Sequence, residues 1–489
     1  MSKSEFQVII VGGSIGGLTL AHCLQHAGID HIILEKASNP APQIGASIGI
    51  LPNGARVLDQ LQLYDQIERS IEPLETAIIG YPDGFSFSSS YPKIINKRFG
   101  FPIAFLDRQR LLEILYQNYP DGSKIRLGEK VTAIHPSSGH VTVTTANGSV
   151  YHGQLVIGAD GVHSQVREAI WRAGENMSSS SVIAKDRFSL TVEFRCMFGI
   201  SSAIKGLNVG EQVNKFLDGL TIVTIHGKKG RVYWFVIQKL SRKYIYPNGP
   251  RYTADDINAA AEELRNIQVH QDITFGQVWE NRETVSMTAL EENTLKTWYH
   301  GRLVLLGDSV HKMTPNIGQG ANMAIEDAAA LANLLRRLRI SPGTTLPTDG
   351  QIETLLRQYR SIRYHRVDSI YRSSRFLVRF QARDGLLNTL FGRYYAPYAG
   401  DLPADMASKT IAGGVMCDFL PPPKRCGGGW EQYRRKTPRW GWEVQTTLSI
   451  LVLAILYAWI GRGRLHSMVF DGCGSLLGLR KCQYLHSLI

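Results

Sequence analysis

Short apolar runs separated by glycine turns open the chain. Phe6–Val11 is a nearly continuous apolar run and predicts a buried strand. A helix is expected over about Ile15–Ala27, and a second apolar run at His31–Leu34 predicts another strand. A strand, a glycine turn, a helix and a strand in this order predict a βαβ unit with parallel strands.

The turn between the first strand and the helix has the spacing of a dinucleotide-binding loop. Gly12 allows a tight turn, and Gly17 lets the helix pack closely on the sheet. Ser14 occupies the position of the middle glycine in G-x-G-x-x-G, where its hydroxyl could donate to a phosphate. Glu35 ends the second strand and is placed to accept hydrogen bonds from a ribose. The segment therefore predicts a bound dinucleotide.

Two later strands end in glycine and aspartate. One breaks at Asp160–Gly161, and the other ends at Gly307–Asp308 before leading into a helix. Gly318 and Gly320 precede that helix and leave room for a flat ring or a phosphate.

Residues 182–288 alternate between apolar and polar positions, which predicts an antiparallel sheet. Helices are expected after Ala321, to about Arg339 and then over about Gln351–Arg383. The fold class is therefore α/β, with a Rossmann-type cofactor domain and an inserted mixed β-sheet substrate domain. The predicted ranges are 1–181 (cofactor domain, with substrate-domain strands near 76–100), 182–288 (substrate sheet), 289–420 (second cofactor part and helices), 421–443 (linker), 444–461 (transmembrane helix) and 462–489 (tail).

Composition and charge narrow the function. Apolar residues make up 44% and charged residues 20%, which is typical of a globular protein and excludes a disordered chain. The net charge is 54 − 42 = +12, and the stretch from Lys424 to Ile489 holds ten basic and three acidic residues, or +7 of it. The body is only mildly basic, so we expect no nucleic-acid partner. The six cysteines lack C-x-x-C spacing, so no metal site is predicted.

The C-terminal region predicts a membrane segment. Val444–Gly461 is 18 residues without a charge, near the lower limit for a span. More cations precede it than follow it, which places the catalytic body on the cytosolic side of a single-pass anchor. A buried or interfacial helix is the alternative.

The three cofactor motifs together resemble the p-hydroxybenzoate-hydroxylase type of FAD monooxygenase over about residues 6–400. The resemblance implies FAD as cofactor and NAD(P)H as co-substrate. It assigns the ribose to Glu35, the ribityl chain to Asp308, and the flavin edge to the Gly320–Ala321 backbone. Asp160 would serve flavin and nicotinamide binding together. Gly49 would lie on a flavin-side loop, and Arg108 would begin a helix near FAD, although an ordinary solvated arginine is the alternative for Arg108.

The strand around Arg195, the strand around Tyr233 and the hydrophobic C-terminal segment look like fungal FAD monooxygenases of meroterpenoid and indole-diterpene pathways. That resemblance implies catalytic roles for Arg195 and Tyr233, which are expected if both side chains project from the sheet toward the flavin; structural roles in the sheet are the alternative. It also implies a small hydrophobic prenylated substrate, whose olefin is epoxidised. Hydroxylation of a phenol and a catalytically inactive flavin-binding scaffold remain the other two readings.

Overall fold

The computed structural model of the chain describes residues 5–43, 47–174, 180–246, 248–338 and 347–434. The strands are β1 Glu5–Val11, β2 His31–Glu35, β3 Ser47–Ile50, β4 Thr76–Gly80, β5 Ser86–Ser89, β6 Ala104–Asp107, β7 Ile125–Leu127, β8 Val131–Ser137, β9 His140–Thr145, β10 Val150–Gly158, β11 Thr191–Ser201, β12 Glu211–Leu217, β13 Leu220–His226, β14 Val232–Ile245, β15 Gln268–His270, β16 Ile273–Thr274, β17 Arg282–Thr294, β18 Tyr299–His300, β19 Leu303–Leu305 and β20 His311–Lys312. The helices are α1 Ile15–Ala27, α2 Pro52–Gln60, α3 Tyr64–Glu68, α4 Tyr91–Phe99, α5 Arg108–Gln117, α6 Gln165–Gly174, α7 Ser180–Arg187, α8 Ala254–Leu264, α9 Phe275–Glu280, α10 Gly320–Arg337, α11 Asp349–Gln381, α12 Leu386–Tyr394, α13 Leu402–Ala412 and α14 Gly429–Arg434.

The first sheet is built on the predicted βαβ unit. Its strands lie in the order β18-β19-β10-β1-β2-β7, and β1 pairs in parallel with both β10 and β2. Val8–Val11 is completely buried, which explains why this strand reads as an apolar run without alternation. The carboxyl ends of β1, β2, β10 and β19 therefore meet at one edge of the sheet, and the cofactor motifs follow these four strands.

The second sheet is mixed and has the strand order β20-β17-β11-β14-β13-β12-β4-β5. Only β12 and β4 pair in parallel among its neighbours. Two strands from residues 76–89 join it from an earlier part of the chain, and β17 continues to Thr294. One face packs under α8 and α9, and the other faces α4, α11 and α13.

The segment after α13 packs against the body as far as Tyr433. The backbone N–H of Lys424 donates to Asp59 over 2.6 Å, and Arg425 pairs with Glu68 at 2.6 Å. The Trp430 indole donates to the carbonyl of Phe99 over 3.1 Å. The first part of the predicted linker 421–443 is therefore held on the surface of the body by charge pairs and an aromatic contact.

The predicted membrane segment 444–461 and the tail 462–489 lie outside the described residues. Within the ranges that the structure describes, no helix is both long enough and apolar enough to cross a bilayer.

Candidate active site

The glycine turn after β1 leaves no room for side chains at two positions. Gly12 has φ +107°, and a Cβ there would lie 2.5 Å from the carbonyl oxygen of Ala159. A Cβ on Gly17 would lie 1.9 Å from the Gly12 carbonyl oxygen. The close approach of β1, α1 and β10 therefore requires glycine at both positions, and the free N–H groups of α1 face the turn.

Glu35 is fixed beside this turn by two backbone groups. One carboxylate oxygen accepts from the N–H of Gly13 over 2.6 Å, and the other accepts from the N–H of Ala37 over 2.8 Å. A carboxylate held in this way lies at the end of β2, where a ribose bound along the glycine turn would lie.

Arg108 connects the turn to another part of the chain. As the first residue of α5, it donates from Nη2 to the hydroxyl of Ser14 over 2.9 Å. Its Nη1 is buried and has no hydrogen-bond partner among the described residues. Burial lowers the pKa of Arg108, while the carboxylates of Asp308 and Glu35 oppose that shift. A buried donor aimed at the dinucleotide turn is what a pyrophosphate oxygen would satisfy.

The neighbouring arginine behaves differently. Arg110 pairs with Glu113 at 3.1 Å in a half-exposed i,i+3 pair on the outer face of α5. Arg108 is therefore the buried arginine beside the glycine turn, and Arg110 is the surface arginine of this motif.

Asp308 follows β19 at the same edge of the sheet. Its carboxylate is partly exposed and accepts a hydrogen bond from the ammonium group of Lys312. Gly307 has φ +60°, and its N–H donates to the buried Asp327 over 2.9 Å. The partly exposed Asp308 thus lies on a turn that is held in place by the hydrogen bond from Gly307 to the buried Asp327.

A buried ionic network in turn holds Asp327 in place. Arg363 of α11 donates to Asp327 and to Glu326 over 2.6 Å each, and Arg366 donates to Glu326 over 2.6 Å. His311 contacts the second oxygen of Asp327 at 2.7 Å. Burial opposes ionisation of both carboxyl groups, but the arginines outweigh it and lower the pKa of Glu326 and of Asp327 to about 2. The sequence marked Glu326 and Asp327 only as helix residues.

Asn322 organises the loop before α10 and was not singled out from the sequence. Its side-chain amide donates to the carbonyls of Gly49 and Gly318 over 2.9 and 2.8 Å. Its oxygen accepts from the N–H of Leu51 over 3.1 Å. A Cβ on Gly320 would meet nothing within 4 Å, so the first turn of α10, with Ala321 next to it, faces open space. Gly49 and the Gly318 loop, which directly precedes Gly320, are therefore joined through the side chain of Asn322.

Asp160 has a local structural function. One carboxylate oxygen accepts from the N–H groups of Gln165 and Val166 over 2.7 and 3.3 Å at the start of α6. The other oxygen is buried without a partner within the described part of the chain, and burial raises the pKa of this carboxyl group. Its role toward flavin and nicotinamide stays a prediction.

Arg195 and Tyr233 lie on opposite faces of the second sheet. Arg195 pairs with Gln238, and Ile200 pairs with Tyr233, in one uninterrupted register between β11 and β14. Residues five apart on a strand point to opposite faces. The expectation that both side chains project toward one flavin pocket therefore does not fit this register.

Their neighbours agree with the register. Arg195 donates to the Gln238 side-chain oxygen over 2.7 and 3.0 Å, and with Gln238 it lines a small cavity beside Leu264 of α8. Tyr233 packs in the cluster that includes Ile95, Phe99 and Ile411 on the other side.

The hydroxyl of Tyr233 donates to Asp107 over 2.9 Å. Arg231 binds both oxygens of the same carboxylate at 3.0 Å and also contacts Glu283 at 2.8 Å. Burial, followed by the charge of Asp107, raises the pKa of Tyr233 well above its usual range. Because Asp107 directly precedes Arg108, this contact joins the substrate sheet to the cofactor loop.

An apolar cluster lies between that sheet face and the loop of Gly49. Its buried members are Leu51, Leu74, Ile95, Phe99, Ile103, Ile200, Val223, Ile225, Tyr233, Ile411 and Ala412, with Tyr91, Phe105 and Phe235 packed against them. Phe105 also lies 3.0 Å from the Cβ position of Gly49. The residues predicted to bind the cofactor therefore lie next to an apolar region of the protein.

The residues present fit FAD. The orphaned Nη1 of Arg108 suits a pyrophosphate, the anchored Glu35 suits a ribose, and the open space at Gly320 suits a ring edge. Among the residues the structure describes, no group of three or more His, Cys, Asp or Glu side chains could hold a metal ion.

Comparison with known proteins supports this assignment. Residues 5–339 match the family described as FAD binding domain. The chain is 76% identical over 476 residues to the FAD-dependent monooxygenase janM of Penicillium janthinellum, with 97% of this chain and 98% of that protein covered. It is 66% identical over 476 residues to paxM of Penicillium paxilli, with the same coverage.

Among solved structures, HpxO of Klebsiella pneumoniae in complex with FAD and uric acid has a TM-score of 0.67 at 22% identity, covering 84% of this chain and 97% of that one. At this identity, the likeness concerns the fold alone. The family match and the curated relatives carry the conclusion: the chain belongs to the FAD binding domain family and is an FAD-dependent monooxygenase.

Proposed function

We propose that this monooxygenase uses NAD(P)H and dioxygen to epoxidise an olefin of a prenylated aromatic compound in secondary metabolism. The apolar cluster beside the cofactor loop carries the proposal, because a prenyl chain needs a lining of aliphatic and aromatic side chains. The similarity to janM and paxM supports the monooxygenase part of the reaction.

Each polar group of the site then has a binding function. Arg108 and Ser14 hold the pyrophosphate, Glu35 holds the ribose, and Asp308 accepts from the ribityl hydroxyls. The Gly320–Ala321 backbone lies along the ring edge. When bound, FAD supplies the redox chemistry that activates dioxygen.

The apolar cluster orients the substrate and excludes water. Phe105, between the Gly49 strand and the Gly318 loop, would hold a prenyl chain against the ring. Tyr233 is a member of this cluster that carries a polar group, and its hydroxyl is oriented by Asp107. We assign it the role of positioning the olefin and the transferred oxygen.

The reaction is tested with the FAD-loaded full chain, NADPH or NADH, and a panel of farnesyl- and geranylgeranyl-bearing aromatics under ¹⁸O₂. We expect a product that gains one labelled oxygen and loses one olefin, identified by mass and NMR. Analogues with the same aromatic head and a saturated chain are the matched control and should not react. Oxygenation of the ring in both series would instead establish a phenol hydroxylase.

We also propose that residues 444–461 anchor the chain to a membrane, with the body on the cytosolic side. The absence of charge over 18 residues and the excess of preceding cations support this. Sedimentation of the full chain with carbonate-washed membranes tests it; a chain that stays in the supernatant without detergent would contradict it.

A further inference from the structure

Exposed apolar side chains are concentrated in one part of the body. Of the thirteen large apolar residues that are exposed within the described ranges, seven lie between residues 376 and 402. They are Phe376 (53%), Leu386 (73%), Leu387 (69%), Leu390 (37%), Tyr394 (66%), Tyr398 (83%) and Leu402 (39%). Apolar residues scattered singly on a surface need no explanation, but a continuous group marks an interaction site.

The outward face of α12 forms the centre of this group. Leu386, Leu387, Leu390 and Tyr394 follow the three- and four-residue spacing of a single helical face. We call the seven exposed residues the α12 face.

Phe391 and Gly392 hold α12 against the body. The ring of Phe391 contacts that of Phe380 at 5.8 Å, and the Gly392 carbonyl accepts from the hydroxyl of Tyr81 over 2.6 Å. The leucines are therefore exposed on a helix that is already packed on the body through Phe391 and Gly392.

Three charged residues near the α12 face have ion-pair partners within the body. Arg393 pairs with Asp83 at 2.9 Å, and Asp384 pairs with Lys239 at 2.7 Å. Arg383 contacts Asp218 at 3.4 Å. Since these three charges have partners within the body and the seven exposed side chains are apolar, the face suits an apolar partner better than an ionic one.

We propose that the α12 face lies on the lipid bilayer to which residues 444–461 anchor the chain. The inference rests on that proposed anchoring. Only the nine residues 435–443 separate the described body from the uncharged stretch, and nine residues span at most about 32 Å. The body is thus kept close to the bilayer surface. Exposed leucines flanked by tyrosines are the composition that a membrane interface accepts.

The location of α12 gives this contact a use. Phe380, which α12 covers through Phe391, also contacts Phe216 of β12 at 5.9 Å. The helix therefore sits at the margin of the substrate sheet. The ring contacts Phe391–Phe380–Phe216 thus connect the proposed membrane contact to the substrate sheet.

Hydrogen exchange of the full FAD-loaded chain, followed by mass spectrometry, tests the contact. The probes are vesicles of phosphatidylcholine alone and vesicles with about one third phosphatidylserine. We expect amide exchange in peptides covering residues 386–400 to slow at least about tenfold on both kinds of vesicle. Leu386→Glu combined with Leu387→Glu should abolish this protection without changing FAD occupancy.

The matched control places two glutamates at exposed apolar positions elsewhere, Val150→Glu and Val209→Glu, which are 45% and 46% exposed. This variant should retain the protection. Protection of 444–461 without protection of 386–400 would leave the anchor intact and overturn the α12 contact. Slow exchange of 386–400 without lipid, increasing with protein concentration, would also overturn it in favour of a second copy. Product formation is assayed separately and reports on the proposed epoxidation.

Discussion

The Tyr233 hydroxyl donates to Asp107 over 2.9 Å, and Asp107 immediately precedes Arg108, whose guanidinium contacts Ser14 of the cofactor turn. A residue of the substrate sheet is thus two hydrogen bonds and one peptide bond away from the FAD-binding loop. Arg231 holds the same carboxylate through both of its oxygens.

Asp107→Asn should disturb this connection. The amide keeps one acceptor oxygen, but its NH₂ group cannot accept from Arg231, so at least one charge-assisted hydrogen bond worth about 1.5–3 kcal/mol is lost. We expect a larger fraction of NAD(P)H to be oxidised without product, measured as hydrogen peroxide released per NAD(P)H. Glu283→Gln is the control, because Glu283 contacts Arg231 but not Tyr233. If Asp107→Asn and Glu283→Gln increase hydrogen peroxide release per NAD(P)H equally, the ion pairs of Arg231 account for the effect and the contact with Tyr233 does not.

Tyr233→Phe and Arg195→Lys should have different effects, because the two side chains lie on opposite sheet faces. Tyr233→Phe removes one oriented hydroxyl and should lower product formed per NAD(P)H by about tenfold, or about 1.4 kcal/mol. Arg195→Lys should form as much product per NAD(P)H as the parent. It should only be less stable, because its contact with Gln238 is weakened. If only Arg195→Lys forms less product per NAD(P)H, Arg195 reaches the flavin.

Arg108→Met should weaken FAD binding, since it removes a buried cation from the turn. Loss of a charge-assisted contact of about 1.5–3 kcal/mol corresponds to a Kd about 10- to 150-fold higher. Fluorescence titration of the apoprotein with FAD measures it. Arg110→Met, two residues away in a surface pair with Glu113, should bind like the parent. If both variants bind FAD equally well, Arg108 does not contact the cofactor.

Glu326→Gln should destabilise the fold by about 3–5 kcal/mol, because it leaves Arg363 and Arg366 with an incomplete buried network. The folded-state pKa of Glu326, about 2, is below its ordinary value. The stabilisation is therefore fully present above about pH 5 and is lost as the pH falls toward 2.

Urea unfolding at several pH values measures this difference. The difference in the free energy of unfolding between the parent and Glu326→Gln should stay constant above about pH 5 and decrease below it. Glu353→Gln, in an exposed pair with Arg357, should cost about 0–1 kcal/mol. If this difference in the free energy of unfolding increases as the pH falls, Glu326 is not ionised in the folded protein as assigned here.

Truncation should locate the end of the folded body. A chain ending at Tyr433 should bind FAD and unfold like the parent body, whereas one ending at Pro423 loses Arg425 and Trp430. The buried carboxylate of Asp59 then lacks its partners, at a cost of about 1–3 kcal/mol, and Phe99 loses its aromatic contact. The shorter chain should therefore have a lower urea midpoint. Equal midpoints would show that residues 424–433 add nothing to stability.

The sequence alone determined the elements whose signals are local. The strand, glycine turn and helix at the start of the chain are found at Glu5–Val11 and Ile15–Ala27, because apolar runs and glycine spacing act over a few residues. For the same reason, the motif itself assigned Gly12 to the turn and Gly17 to the first turn of the helix that packs on the sheet. The prediction of FAD as cofactor is confirmed by the family match.

Only the tertiary structure decided which distant residues meet. Alternation assigns each residue of β11 and β14 to one of two faces, but the pairing register determines which faces coincide, and it separates Arg195 from Tyr233. Asn322, the Glu326–Arg363 network and the Tyr233–Asp107 contact join elements far apart in the chain, so no local pattern marks them. Their positions follow from how the two sheets and α11 pack, which depends on the whole apolar core rather than on any one segment.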